Sequence, residues 1–420
     1  MEDKTYLCID LKSFYASVEA VERGLDPMTT NLVVADPSRG SGAICLAITP
    51  AMKDLGIRNR CRLYEIPEGV EYITALPRMK WYMEYSARIY GIYLKYISKE
   101  DIHVYSIDEC FFDVTSYLHL YHKTPREMAQ MLIDAVYAAT GISATAGIGT
   151  NLFLAKVALD ITAKHVPDRI GYLDEEAYKR TIWHHRPITD IWNVGPGIAK
   201  RLEKYRIYDM EGVARANEQM LYREFGVNAE YLIDHAHGIE PCTIAEIHAY
   251  TPSENSIGNS QILPEDYSYE DALLILKEMV ELLVLELIDM GMVTNSISLA
   301  VGYSGRGVKS TGGSRKLTDF TNSERRIRAA YEELFAQTTR KNIPIRRIGI
   351  SFNHITGQDY VNLDLFSETV KDEKEQKKNQ AILAIKKKYG KNAILKGMNF
   401  REKATTRERN KLIGGHNSGE

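Results

Sequence analysis

Cysteine is scarce and scattered in this chain. Its five cysteines, Cys8, Cys45, Cys61, Cys110 and Cys242, form no C-x-x-C pair and no even framework. That argues against a zinc ribbon and a disulfide-stapled scaffold, and fits a reducing, cytoplasmic setting. An uncharged apolar run of membrane-spanning length is also missing. The most apolar stretch, ALLILKEMVELLVLELIDMGMV, is broken by Lys277, Glu278, Glu281, Glu286 and Asp289, so it reads as an amphipathic core helix and no membrane partner is expected. Met1 leads straight into EDKTYLCID without a basic start or an apolar run, and export is not expected. Net charge is nearly absent too, at −3 over 420 residues. Its distribution is uneven. Residues 306–420 hold 25 Lys and Arg against 13 Asp and Glu, or +12, and the rest 28 against 43, or −15. The basic end suits either nucleic acid or a solvated surface.

What is present is long enough for two to four domains. TYLCIDL has the length of a strand, and KSFYASVEAVERG the apolar spacing and closing glycine of a helix. IHVYS and CFFDV are strand-like, PREMAQMLIDAVYAATG is a helix opened by Pro125 and closed by Gly141, and ISATAGIG is another strand. The order β-α-β-β-α-β predicts a ferredoxin-like domain over residues 1–25 and 76–166, with residues 26–75 inserted after its first helix. Residues 167–243 read as short helices around ITDIWNVGPGIAKRLEKYRI, and HAYTPSENS as a linker. Residues 254–355 repeat the β-α-β-β-α-β order. Residues 356–420 read as a polar, Lys-rich, flexible tail with one apolar island, NLDLF. The fold class is α+β, in several domains.

Asp108 and Glu109 stand side by side in VYSIDECFFDV, among residues that otherwise ask for burial. In a continuous strand they would point to opposite faces. A hairpin turn at SIDE instead lifts both to one edge of the sheet, where Asp10 at the end of the first strand can meet them. Three converging carboxylates repel one another unless cations hold them, which points to hard divalent ions, most simply Mg²⁺.

Taken together, CIDLKSFYASVEA, YSIDECFFDV and GIGTNLFLAKVALDITAK resemble, in order, the three palm motifs of the Y-family DNA polymerases of the DinB/UmuC type. The resemblance extends over nearly the whole chain and implies a right-hand polymerase: palm (1–25 and 76–166), small fingers (26–75), helix-hairpin-helix thumb (167–243), little finger (254–355) and a tail with a clamp-binding peptide (356–420). It implies two Mg²⁺ ions on Asp10, Asp108, Glu109 and the Leu11 carbonyl, with Tyr15 as the steric gate beneath the incoming sugar and Phe14 in the core. Lys156 and Lys53 match triphosphate-binding residues, although Pro50 stands where a tyrosine is usual and Lys53 where an arginine is. Gly195, Gly197 and Lys200 in NVGPGIAKRL match DNA-backbone contacts, and Arg306, Lys309, Arg315 and Lys316 are candidates for the same task in the little finger. Asn362, Leu363, Leu365 and Phe366 match a sliding-clamp peptide, with Asn362 in place of the usual Gln.

The function so implied is low-fidelity, template-directed synthesis past damaged bases, within DNA repair and the SOS response. The implied partners are primer-template DNA, dNTP, the sliding clamp and RecA, with a single catalytic chain. Two rivals stand beside it: a non-catalytic DNA- and clamp-binding accessory protein, and a nucleotidyl cyclase.

Overall fold

The computed structural model describes residues 4–252, 255–358 and 369–419. The chain divides into two compact units, one reaching to Tyr250 and one running from Thr251 to Ser418.

In the first unit β1 (Tyr6–Leu11) leads into α1 (Phe14–Val21). The chain then builds a small sheet from β2 (Leu32–Val34), β3 (Ala47–Ile48) and, after α2 (Pro50–Asp54), β4 (Ile73–Ala75). Val33, Cys45, Ile48 and Met52 form its core. α3 (Met79–Tyr93) is followed by the antiparallel hairpin of β5 (Ile102–Val104) and β6 (Glu109–Asp113). Then come α4 (Thr115–Tyr121), α5 (Pro125–Thr140), β7 (Ala144–Gly149), α6 (Leu152–Asp160) and β8 (Ile170–Leu173). α5 starts at a reciprocal cap between Thr124 and Glu127 and ends at Gly141 with φ 70°, the left-handed closure that glycine provides most easily.

The main sheet runs β5-β6-β1-β7-β8, with β1 antiparallel to both neighbours. The sequence reading assigned everything from residue 167 to short helices; Ile170–Leu173 instead extends the sheet, parallel to β7. Glycines set the fit of α6 against it. A Cβ on Gly147 would stand 2.0 Å from the Ala155 carbonyl oxygen, and one on Gly149 2.2 Å from the Ala155 nitrogen.

Beyond β8, α7 (Glu175–Thr181), α8 (Pro196–Glu203), α9 (Met210–Ala214), α10 (Glu218–Phe225) and α11 (Ala229–His237) enclose Leu202, Leu221, Phe225 and Leu232. α12 (Ile244–Ala249) brings Ile244 back against Tyr6, Cys8 and Phe111 of the sheet.

The second unit contains β9 (Ile257–Tyr267), α13 (Tyr269–Asp289), β10 (Met292–Tyr303), β11 (Thr311–Thr321), α14 (Glu324–Thr338) and β12 (Ile345–Asn353), with β13 (Thr356–Gly357) beside β10. Its sheet runs β11-β10-β12-β9. The element order therefore repeats, but the strand order does not. Both helices cover one face, over Ile297, Leu299, Val301, Ile348, Ile350 and Phe352. The alternate residues Ser298, Ala300, Gly349 and Ser351 form the other, open face.

The expected flexible tail is instead largely folded. α15 (Thr369–Tyr389), α16 (Thr406–Arg409) and the hairpin of β14 (Leu412–Ile413) and β15 (His416–Asn417) form an extension of the second unit. Its anchor is Glu278, a carboxylate 1% exposed on α13. Asn399 Nδ2 donates to it at 2.8 Å, and the Thr405 and Thr406 N–H groups at 2.8 and 3.3 Å. A polar composition suggests disorder because it offers little apolar area to bury; here charged hydrogen bonds to a buried acid do the docking. The clamp-like peptide from Asn362 to Phe366 lies outside the described residues.

Gly147→Ala is expected to cost roughly 3 kcal/mol or more through overpacking, whereas Gly42→Ala, with open space around its Cβ position, should change stability by less than about 0.5 kcal/mol. Thermal melts of the two variants check this.

Candidate active site

The hairpin between β5 and β6 folds tightly because the N–H groups of Tyr105 and Ser106 both donate to the Glu109 carbonyl, at 3.0 and 3.1 Å. Glu109 is thereby the first residue of β6, directly opposite Asp10 of β1. Opposed residues of an antiparallel pair project to the same face, so two carboxylates share one edge. Asp108 is drawn to the same edge by its carbonyl, which accepts the Leu11 N–H at 2.9 Å. Its carboxylate accepts a hydrogen bond from Ser106 Oγ at 2.7 Å.

The electrostatics show the crowding. Burial, then the charges of Asp108 and Glu109, weaken Asp10 as an acid and push its pKa up to about 7. A free aspartate loses its proton near 4. The folded chain therefore binds this proton more tightly than the unfolded chain, and the resulting stabilisation fades as pH rises from about 4 through 7. Glu109 has its own compensation: Lys156 on α6 lies 2.8 Å from it and 3.0 Å from Asp160, and the Cys8 thiol donates to it at 3.0 Å. Among the described residues, no hydrogen bond or ion pair engages the Asp10 carboxyl.

Among the described residues, no group of three or more His, Cys, Asp and Glu side chains is arranged to hold a metal ion as it stands. The donor set nevertheless fits a hard divalent cation: three carboxylates crowded at strand ends, one forced toward neutrality, beside a backbone carbonyl at Leu11. Asp10, Asp108, Glu109 and Leu11 are the residues that would hold it.

Tyr15 lies one helical residue past Phe14, which is buried as expected. Its ring stacks on Tyr82 with centroids 4.5 Å apart at 17°. Tyr82 is fixed in turn by Glu19, which receives its hydroxyl at 2.8 Å and a two-pronged Arg78 contact at 2.8 and 2.9 Å. This support for Tyr15 was not visible in the sequence, since Glu19, Arg78 and Tyr82 come from two distant helices. α1 opens at Ser13, in the left-handed region at φ 52°, with a buried hydroxyl oxygen that has no partner.

The two triphosphate candidates differ in surroundings. Lys156 is 8% exposed and committed to Glu109 and Asp160. Lys53 sits on α2, where burial and the charge of Lys164 lower its basicity while Asp10 raises it. Lys12 is likewise lowered by burial, Arg169 and Lys53. Lys53 thus has Lys12 and Lys164 as like-charged neighbours, and Lys12 has Arg169, a cluster the sequence reading missed because its members belong to separate motifs.

Gly195 caps α8 and, with Gly197 and Lys200, is exposed; nothing stands within 4 Å of a Cβ built on either glycine. In the second unit Arg306 and Lys309 are exposed between β10 and β11, and Lys316 lies on β11 opposite Ser296 of the open-face set. Arg315 does not join them. It lies opposite core-facing Ile297 and binds Glu333 at 2.6 Å and Gln337 at 2.8 Å on α14, because neighbouring strand residues face opposite ways. Arg347, opposite Gly302, is an exposed cation on the open face that the sequence reading passed over.

A family with this architecture is found by comparison. In structure, the chain is similar to a Y-family DNA polymerase chimera of Dbh and Dpo4, with a TM-score of 0.65, 20% identity, and coverage of 84% of this chain and 100% of the other; this defines the fold as that of a Y-family polymerase. In sequence, residues 9–160 match the impB/mucB/samB family and residues 254–365 its C-terminal domain. UvrX of Bacillus subtilis (strain 168), a UV-damage repair protein by name, is 31% identical over 99% of this chain and 98% of its own. DNA polymerase IV 2 of Halalkalibacterium halodurans is 30% identical over 99% of both. The chain belongs to the impB/mucB/samB family of UmuC/DinB-type polymerases.

Lys156→Met is expected to cost about 3 kcal/mol in metal-free buffer, because it strands a buried carboxylate, and millimolar Mg²⁺ should reduce the loss. Melting with and without the ion checks both halves of the expectation.

Proposed function

We infer that this chain is a DNA-directed DNA polymerase for translesion synthesis, joining dNTP to a primer 3′-hydroxyl. The observation that carries the chemistry is the direct opposition of Asp10 and Glu109 across two strands, with Asp108 tied to the same edge. The family and the fold support the template-directed reading over a nucleotidyl cyclase, and the intact acids support catalysis over an accessory role.

Bound divalent cations, two Mg²⁺ in this reading, supply activation of the primer hydroxyl and charge neutralisation at the triphosphate and leaving pyrophosphate. The chain's own residues do the rest. Asp10, Asp108, Glu109 and the Leu11 carbonyl hold the cations. Lys53, joined by Lys164 and Lys12, attracts the triphosphate and makes up for the hydroxyl that Pro50 lacks, and Lys156 balances Glu109 while cations exchange. The start of α1, beside the Ser13 hydroxyl, offers backbone N–H groups to phosphate oxygens. Tyr15, backed by Tyr82, closes the space that a ribose 2′-hydroxyl would need. Gly195, Gly197 and Lys200 bring backbone amides and charge to DNA phosphates, and Arg306, Lys309, Lys316 and Arg347 do so from the second unit.

Among the described residues, no helix is long and apolar enough to cross a membrane. A DNA substrate and reduced thiols suit the cytoplasm. Asn362, Leu363, Leu365 and Phe366 are retained as the sliding-clamp peptide, and RecA as a partner in the damage response.

Primer extension with Mg²⁺ and four dNTPs tests the reading: native chain extends, and Asp108→Ala is slower by on the order of a thousand-fold or more. Primer binding without extension by the native chain, even with clamp supplied, would return the accessory reading. Tyr15→Ala should improve ribonucleotide use relative to deoxynucleotide by roughly 10- to 200-fold, read from single-nucleotide kcat/KM values.

A further inference from the structure

Charge in the second unit is sorted by segment. Residues 255–358 hold 12 Lys and Arg against 12 Asp and Glu, a net of zero, while residues 374–419 hold 13 against 3, or +10. Taken from residue 255 on, the positive balance lies in the C-terminal extension, although the sheet domain it rests on holds a basic stretch of its own, with 11 Lys and Arg against 4 Asp and Glu over residues 306–358.

Part of that charge serves docking. Lys396 pairs with Glu281 at 3.6 Å and with Glu324, Lys387 pairs with Asp289, Lys403 pairs with Glu265, and Arg409 donates to Asn259 at 3.0 Å. These cations are accounted for by acids of α13, α14 and β9 and by the Asn259 amide of β9.

Apart from Lys386, which is half-buried, and Lys411, which pairs with Glu408 at 3.0 Å, the remainder faces outward. Lys374, Lys377, Lys378 and Lys388 are all exposed on α15. Their spacing of 3, 4 and 14 residues from the first places them on one face at 3.6 residues per turn. The opposite face buries Asn379 and half-buries Leu383. At 1.5 Å per residue the lysine stripe is about 21 Å long. Exposed Lys391, Arg401 and Arg407 continue the positive surface past the helix. None of these seven side chains has a carboxylate partner among the described residues. Seven unpaired cations held on a docked element repel one another, and a solvated face alone does not call for such segregation from a neutral domain.

We propose that this outward face is a second, sequence-independent binding surface for the phosphate backbone of duplex DNA, separate from the polymerase site. A straight row of lysine point charges suits phosphates, which duplex DNA presents at one negative charge per about 1.7 Å of axis. The side chains between the lysines, Ala381 and Ile385, are exposed, and the regular, unbroken row of like charges favours the repeating phosphates of DNA over an acidic protein. The extension thereby adds electrostatic grip to that of Arg306, Lys309, Lys316 and Arg347 on the sheet domain.

The test uses the full chain and a short fluorescent blunt duplex, with anisotropy followed across a salt series. The quadruple variant K374Q/K377Q/K378Q/K388Q is compared with the native chain, and Arg401→Gln with Arg407→Gln forms a second variant off the helix. The surface predicts a log K against log[salt] slope shallower by about 3 to 4 for the quadruple variant and by about 2 for the pair, from about 0.9 per phosphate contact. Affinity of the quadruple variant at physiological salt should fall about tenfold or more, with kcat at saturating primer-template unchanged. That last readout separates failure of this surface from failure of the polymerase reading. Superimposable salt curves for native chain and both variants would overturn the proposal, as would variants that keep duplex binding but lose binding to an acidic protein.

Discussion

The organising constraint in this chain is like-charge repulsion at the end of a two-strand ladder. Asp10 and Glu109 face each other across β1 and β6, and the Leu11 N–H holds Asp108 beside them. Such an arrangement is unfavourable by itself, as the displaced acidity of Asp10 records. Much of the surrounding structure serves to keep it in place. The hairpin turn fixes Glu109 at the start of β6, and glycines at 147 and 149 let α6 approach closely enough to bring Lys156 onto Glu109. The helical group beyond β8 reaches the same hairpin, since Trp192 Nε1 donates to the Tyr105 hydroxyl at 3.0 Å. A site that is costly when empty and favourable when cations enter has its binding energy directed at those cations.

A second theme is that charge does different work in the two units. In the first, cations cluster where a triphosphate is expected: Lys53 is lowered in basicity by burial and Lys164 and tempered by Asp10, and Lys12 is lowered by burial, Arg169 and Lys53. In the second, acids of α13 serve as sockets for the extension, and Glu278 is buried because three donors from residues 399–406 satisfy it. Both arrangements follow the rule that a buried charge survives only with partners.

How much of this was legible in the sequence depends on the range of the interaction. Adjacent acids inside an apolar run are a local violation of strand chemistry, so the Asp108–Glu109 hairpin and its meeting with Asp10 could be anticipated from VYSIDECFFDV. α5 was equally plain, because Pro125 and Gly141 are local signals. β8 was missed: four residues carry too little pattern to mark a strand, and its place depends on α6 returning the chain to β7. Arg315 and Lys316 looked equivalent because alternation tells that neighbours differ but not which face the helices cover. The extension was the largest departure, since the docking partners named above lie 72 to 150 residues away and on side chains that looked solvated. Tyr82 and Glu19 behind Tyr15 stayed hidden for the same reason.

The most direct test of the central claim is the melting temperature of the native chain and Asp10→Asn, each measured without metal and with millimolar Mg²⁺ at a pH above 7. If crowded carboxylates form the cation site, the variant melts higher than the native chain without metal, because one repelling charge is gone, and the native chain alone gains stability when Mg²⁺ is added. Equal responses to Mg²⁺ in both proteins, or a variant less stable than native in metal-free buffer, would contradict the account.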